Sequence, residues 1–397
     1  MEYKVRKLPL PDVLKFIVDN RGKTVPTDNN GKRILIATNC IRNDSLFPKY
    51  EKVRYLNDET YNNWFRAHPK PGDIIFVNKG TPGRVCLVPD PVDFCIAQDM
   101  MAFRVNDDII YNKYLLAFLR SREIQNQIQV SQVGTTIPHF KKQQLKEILV
   151  PILDYKEQKK IGDLYYKISY KIELNNQIND NLFKFAISYI NNKVEESEVP
   201  INKFAKIQGG YAFKSKDLLD DKTNNRIIKI KNLRSEINAD VVNSQYVEDE
   251  VANSIDSKFR LNKGDVTIAM TGAELGKTGF IYGFDNYYLN QRVGVIRGKN
   301  KERELYLKIL FLSNEFQTLL NSKGYGSAQP NISTNDIESI LINDMAEENL
   351  KDIYERLNPI YYRIISNCEE NLNLEQLRDT LLPKLMNGEI DLDKIEI

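Results

Sequence analysis

The chain has 397 residues, a formal net charge of +2, 42% hydrophobic residues and 28% charged residues. This length predicts two domains, and the composition argues against a disordered chain. It also argues against a membrane protein, because no apolar run approaches the roughly 20 residues of a membrane helix. The amino terminus lacks the pattern of a secretory signal, so we expect a cytoplasmic protein.

The charge is unevenly distributed along the chain. Residues 1–150 carry a net charge of +7, whereas residues 346–397 carry a net charge of −6. Many proteins that bind polyanions are more basic than this chain, so charge alone permits nucleic-acid binding without establishing it. The first domain is the more favourable partner for phosphates.

The four cysteines contain no CxxC pair, and the chain has only two histidines. This usage favours neither a zinc module nor a disulfide framework. We therefore expect buried thiols and no metal site.

The first predicted domain covers residues 1–150. Short apolar runs such as ILIAT and IIFVN alternate with Gly, Pro, Asn and Asp, which is typical of short strands joined by turns. The helical stretch YLLAFLRSREIQNQIQ follows these runs. Together the segments predict a mixed α/β domain.

A long helix is predicted over residues 151–195. Its heptad row consists of Ile161, Ile168, Asn175 and Leu182. Heptad spacing sustained over this length is typical of a coiled coil. An amphipathic helix packed on its own domain is the alternative interpretation.

The chain then repeats itself at a spacing of 192 or 193 residues. RILIATN at Arg33 matches RIIKIKN at Arg226, and GTTIPHF at Gly134 matches GSAQPNI at Gly326. AQDMMAFRV also aligns with NQRVGVIRG. Such a repeat predicts a second α/β domain of the same kind over residues 196–345.

A second long helix is predicted over residues 346–397. Its heptad row consists of Ile353, Ile360, Asn367 and Leu374. Asn175 and Asn367 both occupy the middle of their rows, and a buried asparagine favours one register over the others. We therefore expect the two helices to pair in an antiparallel coiled coil with these two asparagines close together.

The order domain, helix, domain, helix predicts two pseudo-two-fold-related α/β domains separated by the paired helices. A helix of about 35 residues is about 50 Å long. DNA half-sites one turn apart lie about 34 to 36 Å from centre to centre. These dimensions favour a bipartite DNA site whose spacer is set by the coiled coil.

Several segments resemble the specificity subunits of type I restriction-modification enzymes. LVPILDYKEQKKIGDLYYKISYKIELNNQINDNLF is similar to the central conserved region of that family, and LLPKLMNGEI to its closing segment. NRGKTVP and PGDIIFVNKGTPGRV resemble its target-recognition domain. The second helix departs from the pattern, because it lacks the EQKKI and KIELN motifs of the first.

The resemblance implies a non-catalytic, sequence-specific DNA-binding subunit with one half-site per domain. It would direct adenine methylation or cleavage by partner subunits. The implied partners are double-stranded DNA, two methyltransferase (modification) subunits and motor/nuclease (restriction) subunits. S-adenosylmethionine, ATP and Mg²⁺ would be bound by those subunits and not by this chain.

The residues themselves also favour a chain without a catalytic site or cofactor. There is no GxxxxGK[ST] phosphate loop and no Asn-Pro-Pro-aromatic segment of an amino-methyltransferase. A fused single-chain restriction enzyme would require such modules. The remaining alternative is a coiled-coil interaction scaffold without DNA recognition.

Candidate DNA contacts come from segments at matching places in the two repeats. The Gly-rich loops, residues 78–84 and 270–277, contribute Lys79, Thr81, Arg84, Thr271 and Lys277. The Gly-Pro loops, residues 134–140 and 326–332, contribute Thr135, Thr136, Ser327 and Gln329. The segments before the first strands contribute Arg21, Lys23, Tyr211 and Lys214. Glycine permits close approach of the backbone, and hydroxyls and cations bind phosphates and base edges. Ordinary hairpin turns and surface residues are the alternative.

Overall fold

The computed structural model describes residues 6–20, 22, 24–132, 137–234, 237–323, 330–387 and 389–390. The chain divides into two units. The first unit consists of Met1–Leu174 and Asn373–Ile397, and the second of Asn175–Leu372. Among the described residues, no helix combines the length and the hydropathy that a membrane span requires.

The first unit is a mixed α/β domain. Its strands are β1 (Arg6–Pro9), β2 (Leu14–Val18), β3 (Arg33–Leu35), β4 (Arg54–Leu56), β5 (Ile74–Val77), β6 (Val85–Leu87), β7 (Phe94–Cys95), β8 (Met100–Val105) and β9 (Leu149–Ile152). Its helices are α1 (Asp58–Asn63), α2 (Asn112–Arg120), α3 (Arg122–Ser131) and the first part of α4 (Tyr155–Asn191). The sheets have the orders β2-β8-β5-β6 and β4-β3-β7, and β1 pairs with β9.

The core of the first unit lies on β5 and β8. All four residues of β5 are buried, which explains why IIFV has no polar alternation. The Phe76 ring lies 5.3 Å from the Phe103 ring and 5.9 Å from the Phe140 ring. Asp73, at the start of β5, is buried and accepts a two-pronged hydrogen bond from Arg104, at 3.0 and 2.8 Å. The buried carboxylate is thus paired with the guanidinium of the neighbouring strand.

The second unit contains the remaining elements. Its strands are β10 (Glu198–Pro200), β11 (Ala205–Gly209), β12 (Asn225–Ile228), β13 (Gln245–Val247), β14 (Arg260–Leu261), β15 (Val266–Ala269), β16 (Thr278–Phe280), β17 (Tyr287–Leu289), β18 (Val293–Gly298) and β19 (Leu341–Asn343). Its helices are the last part of α4, α5 (Asp249–Asn253), α6 (Lys301–Phe311), α7 (Asn314–Lys323), α8 (Thr334–Glu338) and the first part of α9 (Glu347–Met386).

The second unit repeats the strand order of the first and adds one strand, β14, at the edge of its second sheet. Its sheets are β11-β18-β15-β16 and β13-β12-β17-β14, and β10 pairs with β19. The buried pairs are also repeated, since Arg297 lies 2.7 Å from Asp265 as Arg104 lies 2.8 Å from Asp73. The sequence repeat is therefore a repeat of fold, and the predicted mixed α/β class is confirmed.

Within the first unit, the amino-terminal part of α4 packs against the carboxy-terminal part of α9. Ile161 and Tyr165 share one apolar core with Leu382 and Leu385. The Arg378 guanidinium lies 5.8 Å from the centre of the Tyr165 ring. The heptad residues Ile161 and Ile168 are buried, and Leu374 is half-buried.

Within the second unit, the two helices are antiparallel. Asn175 Nδ2 donates to Asn371 Oδ1 at 2.8 Å, and Asn367 Nδ2 donates to Asn179 Oδ1 at 2.8 Å. Further along, Lys193 on the segment after α4 pairs with Asp352 at 2.9 Å. Residue numbers along these contacts rise on α4 while they fall on α9, so the two helices run in opposite directions.

The register of this pair differs from the expected one by about one helical turn. Asn175 and Asn367 are both buried in the same polar cluster, but each is hydrogen-bonded to a different asparagine, Asn371 or Asn179. Four asparagine amides lie near the interface between the helices. Asn175 and Asn367 therefore each pair with an asparagine that lies one turn away from the predicted partner. The heptad residue Ile353 is buried, whereas Leu182 and Ile360 are half-buried.

Replacing Asn367 by alanine is expected to lower the free energy of unfolding by about 1–3 kcal/mol, because the buried Asn179 oxygen loses its donor. Urea unfolding followed by circular dichroism measures the change. Asn181→Ala, at an exposed position on the partner helix α4, is the matched control and should change it by less than about 0.5 kcal/mol. Equal losses in the two variants would contradict the buried amide pairing.

Candidate nucleic-acid interface

The Gly-rich loop and the Gly-Pro loop of the first unit lie side by side. The Gly-rich loop connects β5 to β6, and the end of the Gly-Pro loop runs antiparallel to it through a bridge between Lys79 and His139. The Gly80 N–H donates to the Pro138 carbonyl at 2.9 Å, and the Phe140 N–H donates to the Asn78 carbonyl at 2.7 Å. Two segments selected separately from the sequence are therefore joined by their backbones.

The second unit repeats this arrangement. The Gly272 N–H donates to the Pro330 carbonyl at 3.0 Å, and the Ile332 N–H donates to the Met270 carbonyl at 2.9 Å. Each residue lies 192 positions after its counterpart in the first unit. The same loop geometry is thus built twice by the fold.

Each unit has a third segment, which we call the strand-entry turn and which is hydrogen-bonded to the Gly-rich loop of the same unit. It consists of Gln98 and Asp99 before β8, and of Gln291 and Arg292 before β18. The Asp99 carbonyl accepts from Asn78 N–H at 3.0 Å, and the Arg292 carbonyl accepts from Met270 N–H at 2.9 Å. The sequence repeat aligns this turn in the two domains, although it is not among the predicted contact segments. Its signal was a polar pair directly before an apolar strand in both repeats.

An open cleft of about 660 Å³ lies between these segments in the first unit. Its charged lining residues are Lys79, Asp99, Lys141 and Lys142. Gln98 and His139 add polar groups, so the cleft offers a cationic, hydrogen-bonding surface. Such a surface suits phosphates and base edges better than an apolar ligand.

Asn78 forms part of the lining of this cleft and is 6% exposed. Its side-chain oxygen is buried without a hydrogen-bond partner. A buried acceptor without a donor is costly, so Asn78 is an energetically unfavourable position in the lining of the cleft.

The remaining candidates of the first unit have different surroundings. Lys79 is exposed at the cleft, where its Nζ lies 3.8 Å from Asp99. Thr81 is half-buried with an enclosed hydroxyl, and the Arg84 guanidinium lies 3.5 Å from the Ile41 carbonyl, so it faces its own domain. Arg21, Lys23, Thr135 and Thr136 lie outside the described residues.

In the second unit, Tyr211 lies beside the strand-entry turn. Its carbonyl accepts from Gln291 N–H at 2.7 Å, and its ring, 37% exposed, packs at 5.0 Å from Phe213. Lys214 is exposed nearby in the sequence. Tyr211 is thus positioned with the loop pair.

Two polar side chains of the Gly-rich loop in the second unit already have partners within that unit. Thr271 Oγ1 donates to the Pro330 carbonyl at 3.1 Å, and Lys277 forms an ion pair with Glu274. These two candidates therefore have internal partners. Ser327 and Gln329 lie outside the described residues.

No cluster of His, Cys, Asp and Glu that could hold a metal occurs in the described part of the chain. All four cysteines are buried. Burial raises the pKa of the Cys86 and Cys95 thiols to about 12, so both are protonated at neutral pH.

The family model and the similar proteins all point to one protein family. Residues 3–183 and 193–376 both match the family described as type I restriction modification DNA specificity domain. The chain is 22% identical over 359 residues to the MjaIX specificity subunit of a type I restriction enzyme from Methanocaldococcus jannaschii, covering 83% of this chain and 80% of that one. It is 25% identical over 407 residues to the MjaVIII specificity subunit from the same organism, covering 96% and 91%.

A solved structure shares the fold. The S subunit of a type I restriction-modification system from M. genitalium superposes with a TM-score of 0.55 at 15% identity, covering 97% of each chain.

Two glycines of the second Gly-rich loop should respond differently to alanine. Gly272 and Gly276 have φ values of 78° and 81°, so either substitution should cost about 1–2 kcal/mol of stability through backbone strain. A Cβ at Gly272 meets nothing within 4 Å, whereas one at Gly276 would lie 2.8 Å from Asn321 N. Thermal unfolding should therefore show a larger loss for Gly276→Ala than for Gly272→Ala, and the reverse order would contradict this packing.

Proposed function

The chain belongs to the type I restriction modification DNA specificity domain family, and from this premise we propose that it is the subunit that recognises DNA for such an enzyme. It reads a bipartite site, with one half-site per domain. Its two matches to the family, residues 3–183 and 193–376, correspond to the two halves of the sequence repeat.

The observation that carries this proposal is the duplicated loop pair. Sequence-specific binding needs side chains that reach base edges and others that fix the register on phosphates. Each unit presents a Gly-rich loop, a Gly-Pro loop and a strand-entry turn connected by equivalent backbone hydrogen bonds. Exposed Lys79 in the first unit and Tyr211 in the second supply a cationic and a polar side chain there, and Lys214 is exposed three residues after Tyr211.

The chain acts with partners that carry out the chemistry. We propose that two methyltransferase subunits and motor/nuclease subunits assemble with it on double-stranded DNA in the cytoplasm. S-adenosylmethionine, ATP and Mg²⁺ belong to those subunits, and this chain contributes recognition without catalysis. The relatives' names, specificity subunits of type I restriction enzymes, support this division of labour.

A coiled-coil scaffold without DNA recognition is not favoured. It would account for the paired helices and for the repeat. It gives no reason for an equivalent set of loops, with exposed polar side chains, in both domains.

Sequencing of adenine methylation tests the proposal. DNA from cells expressing this chain with its methyltransferase partner is compared with DNA from cells expressing the partner alone. We expect a bipartite modified motif that appears only when this chain is present. If an assembled, active complex methylates DNA without any motif that depends on the chain, the proposal is wrong.

Replacing Lys79 by alanine should weaken binding to motif DNA in a salt-dependent way. Removal of one phosphate contact lowers the magnitude of the slope of log K against log salt concentration by about 1. Lys70→Ala is the matched control, because Lys70 is exposed before β5 whereas Lys79 follows it. Fluorescence anisotropy at several salt concentrations measures both slopes, and equal slopes for the two variants would exclude a phosphate contact at Lys79.

A further inference from the structure

The two domains carry opposite charges at one pair of equivalent positions, Asp99 and Arg292. In the first domain, Lys79 of the Gly-rich loop faces Asp99 of the strand-entry turn. In the second domain the corresponding residues are Thr271 and Arg292. Equivalence rests on the backbone, since Asn78 N–H bonds to the Asp99 carbonyl as Met270 N–H bonds to the Arg292 carbonyl.

The electrostatic state of these positions differs between the domains. Lys79 and Asp99 form an ion pair at 3.8 Å, with both side chains about half exposed. An exposed pair of this length is weak and opens readily. Arg292 is exposed, and no described residue forms a hydrogen bond or ion pair with its guanidinium. Its φ of 72° is uncommon for a residue with a side chain, so the turn holds it in a strained conformation.

The opposite charges of Asp99 and Arg292 indicate whether this position contacts a base or a phosphate. Phosphates are the same in every half-site, so a position that faces a phosphate in both domains would not hold a carboxylate in one of them. Base edges differ from one half-site to the other. A carboxylate only accepts hydrogen bonds and a guanidinium only donates them, so a phosphate, which only accepts, suits Arg292 and not Asp99.

We propose, on the basis of the function proposed above, that the second residue of the strand-entry turn reads a base in each half-site. Arg292 donates to O6 and N7 of a guanine in the second half-site, the pairing that a planar guanidinium forms in the major groove. Asp99 accepts from the N4 amino group of a cytosine in the first half-site. The turn is therefore a specificity-determining position.

The test uses the full chain with its methyltransferase partner. Methylation sequencing of the wild type first gives the motif, and the same experiment follows with Arg292→Gln and Arg292→Gly. Glycine fits the left-handed backbone, so the second variant removes the side chain without adding strain. We expect discrimination at one guanine of the second half-site to fall roughly 5- to 150-fold, with all other positions unchanged.

Lys301→Gln is the matched control. Lys301 is also an exposed cation of the second unit, but it follows the far end of β18, whereas Arg292 precedes its start. Six strand residues separate the two sites by about 20 Å. The control should keep the wild-type motif.

A modified duplex gives a second readout that a structural role of Arg292 would not move. 7-Deazaguanine at the proposed position removes the N7 acceptor. The wild type should bind this duplex more weakly than the unmodified one, and Arg292→Gly, which has no side-chain donor, should bind both equally.

Three results would overturn the inference while the proposed function stands. They are a second half-site without a G·C pair, an unchanged motif in both Arg292 variants, and a uniform loss of methylation with no change of motif, which would indicate a phosphate contact. If the wild-type chain specifies no motif at all, the proposed function itself fails.

Discussion

The candidate interface depends on three backbone hydrogen bonds that occur in both domains. They tie the Gly-rich loop to the Gly-Pro loop and to the strand-entry turn, with partners such as Gly80 and Pro138 in one domain and Gly272 and Pro330 in the other. Backbone bonds do not depend on side-chain identity. The loops can therefore change their side chains, and hence the bases they contact, while their geometry stays fixed. This is the property that a pair of domains with one fold and two half-sites requires.

The helices illustrate a second constraint, the pairing of buried amides. Heptad spacing predicted two long helices, and the asparagines at positions 175 and 367 predicted a polar cluster in their seam. Both features are present in the structure, but the register is about one turn from the expected one. A heptad row identifies which residues face the partner helix. It does not determine which asparagine meets which, because Asn179 and Asn371 offer equivalent amides within one turn.

The sequence was sufficient to predict the repeat, the α/β class and the loops, because each depends on local patterns or on self-similarity. It could not show that residues 78–80 and 138–140 meet, since that contact joins segments far apart in the chain. It also missed the strand-entry turn, because a Gln-Asp or Gln-Arg pair before an apolar strand has no motif of its own. The sequence repeat aligns Asp99 with Arg292, but only their backbone bonds to the Gly-rich loops place both residues at the candidate site.

Site-specific photo-cross-linking to motif DNA tests most directly whether both domains read DNA through the same loops. A photoreactive amino acid is placed at position 79 or 271, in the Gly-rich loops, and at position 70 or 262, at the opposite ends of β5 and β15. We expect position 79 to link to one half-site and position 271 to the other, with little linkage from 70 or 262. Linkage mainly from 70 and 262, or from 79 and 271 to the same half-site, would contradict it.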